Sequence, residues 1–242
     1  MDRVNITIHD TPNITMKMPE KSCRPNPVAM GIFLVSALFI SIAFKQILVT
    51  YQEADIVYVA RLVENGEPIS SHAVAFYAKQ ASAIVEQDIC RSDVVKSGLS
   101  VILKNLDAQQ PEADYERWAT TLQEADTYLT HALSCLPTNG NLWLRLAMVR
   151  LTMAEQPDEI ARLLSHAQWL APSEINELSS RLKIWNRVSA STLAKASSSV
   201  LSDLLLVQRN KPYPELTVQR PSVMLQPYIE EAKRLSASSA RN

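Results

Sequence analysis

The sequence predicts an all-α fold: one N-terminal transmembrane helix followed by a domain of stacked α-hairpins, an α-solenoid. Three observations predict it. Only four glycines occur in 242 residues, too few for the tight turns and phosphate loops of mixed α/β enzymes. Beyond residue 50, apolar residues recur at helical spacing, segment after segment. Near the N-terminus, Val28–Phe44 is an uninterrupted apolar run without a charge.

Residues 1–27 are polar and broken by Pro12, Pro19, Pro25 and Pro27. They read as a disordered tail. Asn5-Ile-Thr7 and Asn13-Ile-Thr15 match the glycosylation acceptor pattern, which matters only if the tail is lumenal. The transmembrane anchor is residues 28–49, because Ile47-Leu48-Val49 extend the apolar run past Lys45 and Gln46. About 20 helical residues cover a bilayer core of about 30 Å. Lys45 can snorkel to the interface and Tyr51 suits the boundary. A soluble helix would show a polar face here. A cleaved signal peptide is the sharper rival, since Ser41-x-Ala43 offers a small-x-small site. The 27-residue preceding region, and an apolar run that continues past the site, favour an uncleaved single-pass anchor.

Arg3, Lys17, Lys21 and Arg24 precede the span, whereas after Lys45 no basic residue occurs until Arg61. The positive-inside rule puts the tail in the cytoplasm and the following domain outside. In a bacterium that is an inner-membrane protein with a periplasmic domain. The net charge of −1 gives no drive towards nucleic acid.

Residues 50–69 read as a stalk and linker. Ile56, Val59, Ala60 and Val63 keep helical spacing, and Asn65-Gly66-Glu67-Pro68 breaks it. Residues 70–188 form the hairpin domain. Ser70-Ser71 can cap a helix over 72–88, which pairs with one over 92–107. Pro111 suits the first turn of the next helix, beside Glu112 and Asp114. Pro137-Thr-Asn-Gly140 reads as a turn before a helix from Trp143 to Met153. Pro157-Asp158-Glu159 starts another helix that stops at Ala171-Pro172, and Ser173 can cap the one after it. Residues 189–242 hold a Ser/Ala-rich helix, an extended Lys211-Pro-Tyr-Pro214 linker, a short extended stretch at Leu216–Val218, and a last helix over 221–236.

One stretch organises the hairpins. Ala125, Leu129, Ala132 and Pro137 are followed by Trp143, Leu146 and Ala147, and then by Leu164, Ala167 and Pro172. Small residues fall where two helices must touch, and a proline follows each second helix. Over roughly 119–172 this spacing resembles the tetratricopeptide family, with Ile160 at a position that is normally small. The span Val28–Phe44 and the stretch Leu136-Pro-Thr-Asn-Gly-Asn-Leu-Trp143-Leu-Arg-Leu-Ala147 also resemble the VpsP-type proteins of bacterial exopolysaccharide loci. That resemblance implies a membrane-anchored scaffold that assists surface-polysaccharide biosynthesis or export. Its partners would be envelope proteins, such as polymerase or export components. The alternative is a tethered chaperone or assembly factor for cytochrome maturation, secretion or cell-wall assembly.

Candidate chemistry is sparse. Cys90 and Cys135 are the only cysteines after the span, and Cys23 precedes it. In an oxidising compartment the pair invites a disulfide, closing a loop that would add about 2–4 kcal/mol. Two separately buried thiols are the other reading. His72, His131 and His166 show no paired metal spacing, and a histidine on an ordinary helix surface explains His131 better than a metal or a Cys–His nucleophile. Trp118, Trp143, Trp169 and Trp185 suit the core between helices better than a sugar-stacking groove. Arg145, Arg150, Arg162 and Arg181, interleaved with acidic residues, are either a solvated surface or a charged face that reads a partner. No Gly-rich phosphate loop or nucleophile elbow occurs, so neither an enzyme nor a resident cofactor or metal is expected.

Overall fold

A computed structural model describes residues 27–209 and 220–239. Among them the chain forms eleven helices and no strand, so the all-α prediction holds. Most of the tail, with its two Asn-Ile-Thr sites and Cys23, lies outside the described residues, as do the Lys211–Pro214 linker and Leu216–Val218. Two units divide the chain, Met1–Thr50 and Tyr51–Asn242.

The first unit is dominated by α1 (Pro27–Gln52). Its stretch Pro27–Lys45 is long and apolar enough to cross a membrane, and none of it is buried. Phe33 and Ile40 are 71% and 69% exposed. Its large apolar side chains stand exposed, with no polar face along the stretch.

The second unit is a run of helices, most of which pack on their neighbours in sequence. It begins with α2 (Ala54–Glu64), which corrects the stalk expectation: Ile56, Val59 and Ala60 are buried, and α2 packs on α4. The apolar stripe read from sequence serves the domain core, and Gly66 at φ +71° turns the chain back. Helices α3 (Ser71–Glu86) and α4 (Ser92–Asp107) form the first hairpin, with Ser70 accepting from the Ala73 amide at the start of α3.

Helix α5 (Tyr115–Cys135) starts later than Pro111 predicts, because Asp114 caps it by accepting from the Arg117 amide. Pro111 sits in the turn before it. Helix α6 (Gly140–Met153) starts earlier than Trp143, capped by Asn139. Gly140 is needed there: a Cβ would lie 2.9 Å from the Ala171 Cβ and 3.2 Å from the Ala167 carbonyl oxygen. Helix α7 (Pro157–Leu170) takes Pro157 in its first turn as expected. Helix α8 (Ile175–Trp185) follows, with Glu174 rather than Ser173 at its N-cap.

The chain ends in α9 (Ala190–Lys195), α10 (Ser197–Arg209) and α11 (Gln226–Ser239). The last helix packs on α10, burying Leu225 and Ala232. Asn186 fastens its approach, accepting from the Ser222 amide and donating to the Arg220 carbonyl.

The packing residues read from the organising stretch behave as that spacing requires. Ala125, Leu129, Ala132, Leu146, Ala147, Leu164 and Ala167 are all buried. Pro137 and Pro172 lie at exposed helix ends, and the Trp143 Nε1 donates to the Pro137 carbonyl at 2.8 Å. Ile160 is fully buried.

Candidate functional site: a groove across three alternate helices

Helices α4, α6 and α8 come together along one side of the second unit and leave a groove of about 340 Å³ between them. Its apolar lining is Leu103 and Leu106 from α4 and Leu144, Met148 and Val149 from α6. Asp107, Asn141, Arg145, Thr152 and Ser180 supply the polar part. The sequence makes this surface by splitting the faces of α6. Leu142, Leu146, Ala147 and Val149 go to the core, and Arg145, Met148 and Thr152 stay exposed at helical spacing. Met148 is 47% exposed, an adaptable apolar contact left uncovered.

Arg145 is held at the groove by its neighbours. Its Nε donates to the Asn141 side chain at 2.6 Å, and the Asn141 amide donates to Glu177 of α8 at 2.9 Å. Among the described residues no ion pair ties Arg145 to a carboxylate, so its charge is available to a bound segment.

The four arginines read as one partner face do not form one. Arg145 lines the groove, whereas Arg162 is exposed on α7 outside it. Arg150 is drawn into a network between helices. Its Nε donates to Asp126 of α5 at 2.8 Å, and a second nitrogen donates to Glu159 of α7. Those hydrogen bonds, the Asp126 one foremost, push its pKa above the usual arginine value.

Arg181 is a correction: it is fully buried. Its Nε and Nη2 donate bidentately to Asp203 of α10 at 2.9 and 2.8 Å. The remaining donors reach the carbonyls of Ala171 and Pro172, which end α7, at 2.9 and 3.1 Å. The Trp185 Nε1 donates to the same carboxylate at 2.9 Å. The periodicity holds the signal: Arg181 falls between Leu178, Leu182 and Trp185 on the buried stripe of α8.

Other corrections follow from side-chain direction. Trp169 is 77% exposed. It lies about 180° around α7 from Ile160, beyond the core stripe, on the same side as Arg162 and His166. Trp185 is core as expected, and Trp118 and Trp143 are partly buried against the core cluster. Glu155 accepts from the Ser189 amide at 2.8 Å and from the Thr192 hydroxyl, which anchors the start of α9. Burial pushes its pKa up, but these bonds together hold it below the usual value.

Two features escape sequence reasoning altogether. Gly98 of α4 makes room for Tyr128 of α5: a Cβ would stand 2.2 Å from the Tyr128 hydroxyl, which donates to the Val95 carbonyl at 3.0 Å. Glu53, buried beneath the start of α2, has its pKa raised by that burial.

Cys90, just before α4, and Cys135, the last residue of α5, are joined by a disulfide with Cα atoms 5.1 Å apart. His131 departs from the surface histidine expected. Its side chain is only 8% exposed. Its Nε2 lies 3.1 Å from the Ile89 carbonyl and 3.6 Å from the Cys135 Sγ. The three side chains form one cluster of metal-ligating residue types, with both sulfurs committed to the bridge.

No protein-family model, curated protein or solved structure matches this chain.

Proposed function

We propose that this protein is a membrane-anchored, tetratricopeptide-like scaffold that acts through protein–protein contacts. Its groove holds a segment of an envelope partner. The observation that carries the reading is the groove itself. An exposed Met148 flanked by the half-buried Leu103 and Leu106, with Arg145 and Asp107 beside them and three alternate helices as the frame, suits an amphipathic helix or extended segment with one charge of each sign. The candidate membrane span in the same chain supports the tether. Confinement to a membrane raises the local concentration of membrane partners, so a small groove suffices.

The partners we propose belong to surface-polysaccharide biosynthesis or export, with the helical domain in the periplasm of an inner-membrane protein. The likeness to VpsP-type proteins and the four basic residues before the span support this. The scaffold carries no catalytic role in this reading.

Photocrosslinking in cells tests it. A photoreactive residue at Met148 is expected to capture polymerase, chain-length or export proteins, and one at Arg162 to capture few or none. Equal capture at both positions would sink the groove. Adducts confined to haem-maturation, secretion or cell-wall proteins would replace the process, and adducts confined to cytoplasmic proteins would invert the topology.

A further inference from the structure

The Cys90–Cys135 bridge sits where chemistry can reach it from one side. Cys90 is exposed, on the turn Gln87-Asp88-Ile89-Cys90 between α3 and α4. Cys135 is partly buried against that turn. An incoming thiolate therefore meets the Cys90 sulfur first, and Cys135 is the sulfur that leaves.

The leaving sulfur has a donor waiting. A carbonyl oxygen only accepts, so the 3.1 Å contact with Ile89 requires His131 Nε2 to carry its hydrogen. The same N–H faces the Cys135 Sγ at 3.6 Å. While the bridge is closed, the carbonyl is its acceptor. A thiolate at Cys135 would be a stronger, anionic acceptor at the same nitrogen. Across the ring, Nδ1 lies 3.7 Å from the Asp88 carboxylate.

We propose that Cys90–Cys135 is a thiol–disulfide exchange site, with His131 as the positioning residue that stabilises the Cys135 thiolate, and that its substrate is a dithiol on an extracytoplasmic partner. The first partner thiolate attacks Cys90 Sγ. The Cys90–Cys135 bond breaks, a partner–Cys90 disulfide forms, and the electron pair leaves on Cys135 beside His131. The partner's second thiolate then attacks its own sulfur in the mixed disulfide and releases Cys90 as a thiolate. The partner gains a disulfide, and Cys90 and Cys135 gain its two electrons. This inference shares the extracytoplasmic placement proposed above and does not depend on the groove.

The full chain in detergent, with reduced glutathione as the probe, tests it. The folded protein is mixed with glutathione, quenched with acid, blocked with a maleimide and mapped by mass spectrometry. The expected first product carries glutathione on Cys90 and maleimide on Cys135. Glutathione on Cys135 instead, or a bridge that reacts only after the protein is unfolded, overturns the proposal. A second measurement isolates His131. In the double variant Cys23→Ser with Cys90→Ser, which leaves Cys135 as the one thiol, the ultraviolet thiolate absorbance is expected to appear below the ordinary thiol pKa of about 8.5. Adding His131→Gln is expected to raise it by about one unit, a tenfold change in thiolate fraction. A Cys135 that titrates at or above the ordinary value, or is indifferent to His131, removes the assigned role. Glutathione mapping and crosslinking at Met148 report on different residues, so either reading can fail alone.

Discussion

The two halves of the helical domain are fastened by opposite means. Between α3 and α5 the fastening is covalent: the Cys90–Cys135 bridge near the solvent edge, with Tyr128 wedged over Gly98 beneath. Between α7, α8 and α10 it is ionic: Arg181 and Asp203, both fully buried, with Trp185 and two carbonyls completing the set. A disulfide stabilises mainly by restricting the unfolded chain, and removing it leaves no charge stranded. A buried ion pair gains little over a well-packed apolar one, but losing one member strands the other in a medium that cannot solvate it. The ionic half is therefore specific and brittle, and the covalent half is tolerant and tunable by redox chemistry.

Breaking the ionic half should have the largest effect. Asp203→Ala leaves the Arg181 guanidinium buried and removes the Trp185 partner. The expected loss is about 3–5 kcal/mol in chemical denaturation. The double variant Arg181→Met with Asp203→Leu is expected to recover most of it. No recovery would mean that the bonds to the Ala171 and Pro172 carbonyls, rather than charge balance, hold α7 to α8.

Opening the staple comes next. Cys90→Ser with Cys135→Ser is expected to cost about 2–4 kcal/mol, and reduction of the native protein should reproduce the loss. A cost greater than that of Asp203→Ala would erase the contrast between the halves. Packing beneath the staple is a smaller lever. Gly98→Ala drives a methyl into the buried Tyr128 ring and should cost about 1–3 kcal/mol. Tyr128→Phe in the same chain removes the clashing oxygen and should return part of that cost, read as a rise in midpoint.

The smallest effect is expected at the surface. The Arg91 guanidinium, hydrogen-bonded to Asp93 in the first turn of α4, lowers that carboxyl to a pKa of about 2. A depressed folded pKa adds stability above the unfolded value of 3.8 that is lost as pH falls towards 2. Asp93 is half exposed, so solvent screens most of this. Asp93→Asn should cost at most about 0.5 kcal/mol at neutral pH and nothing near pH 2, as measured by melts across that range.

Legibility in the sequence followed one rule: periodic features were readable and pairwise ones were not. The helices from α3 to α8 fall close to where apolar spacing, capping residues and prolines put them, because these are local properties. So do the buried Ala125, Leu129, Ala132, Ala147, Leu164 and Ala167. Arg181 was misread although its spacing marks it as buried, because charge suggests solvent until its partner, 22 residues on, is seen. Trp169 was misread the other way, since residue type outweighed its position on the far side of α7. Glu155, Gly98 and His131 act through residues 30 or more positions away, which no local pattern encodes.

The sequence by itself determined an all-helical chain with an apolar span, the breaks between most helices, and which small residues lie at helix contacts. Helix periodicity, capping and bilayer thickness act over a few residues, or over one run of them. Tertiary structure alone decided that residues 54–64 join the core, that one arginine of four lines a groove while another is sealed inside, and that the turn carrying Ile89 and Cys90 closes over His131. These depend on which helix faces meet and on how much water remains between them, and only the packed chain defines either.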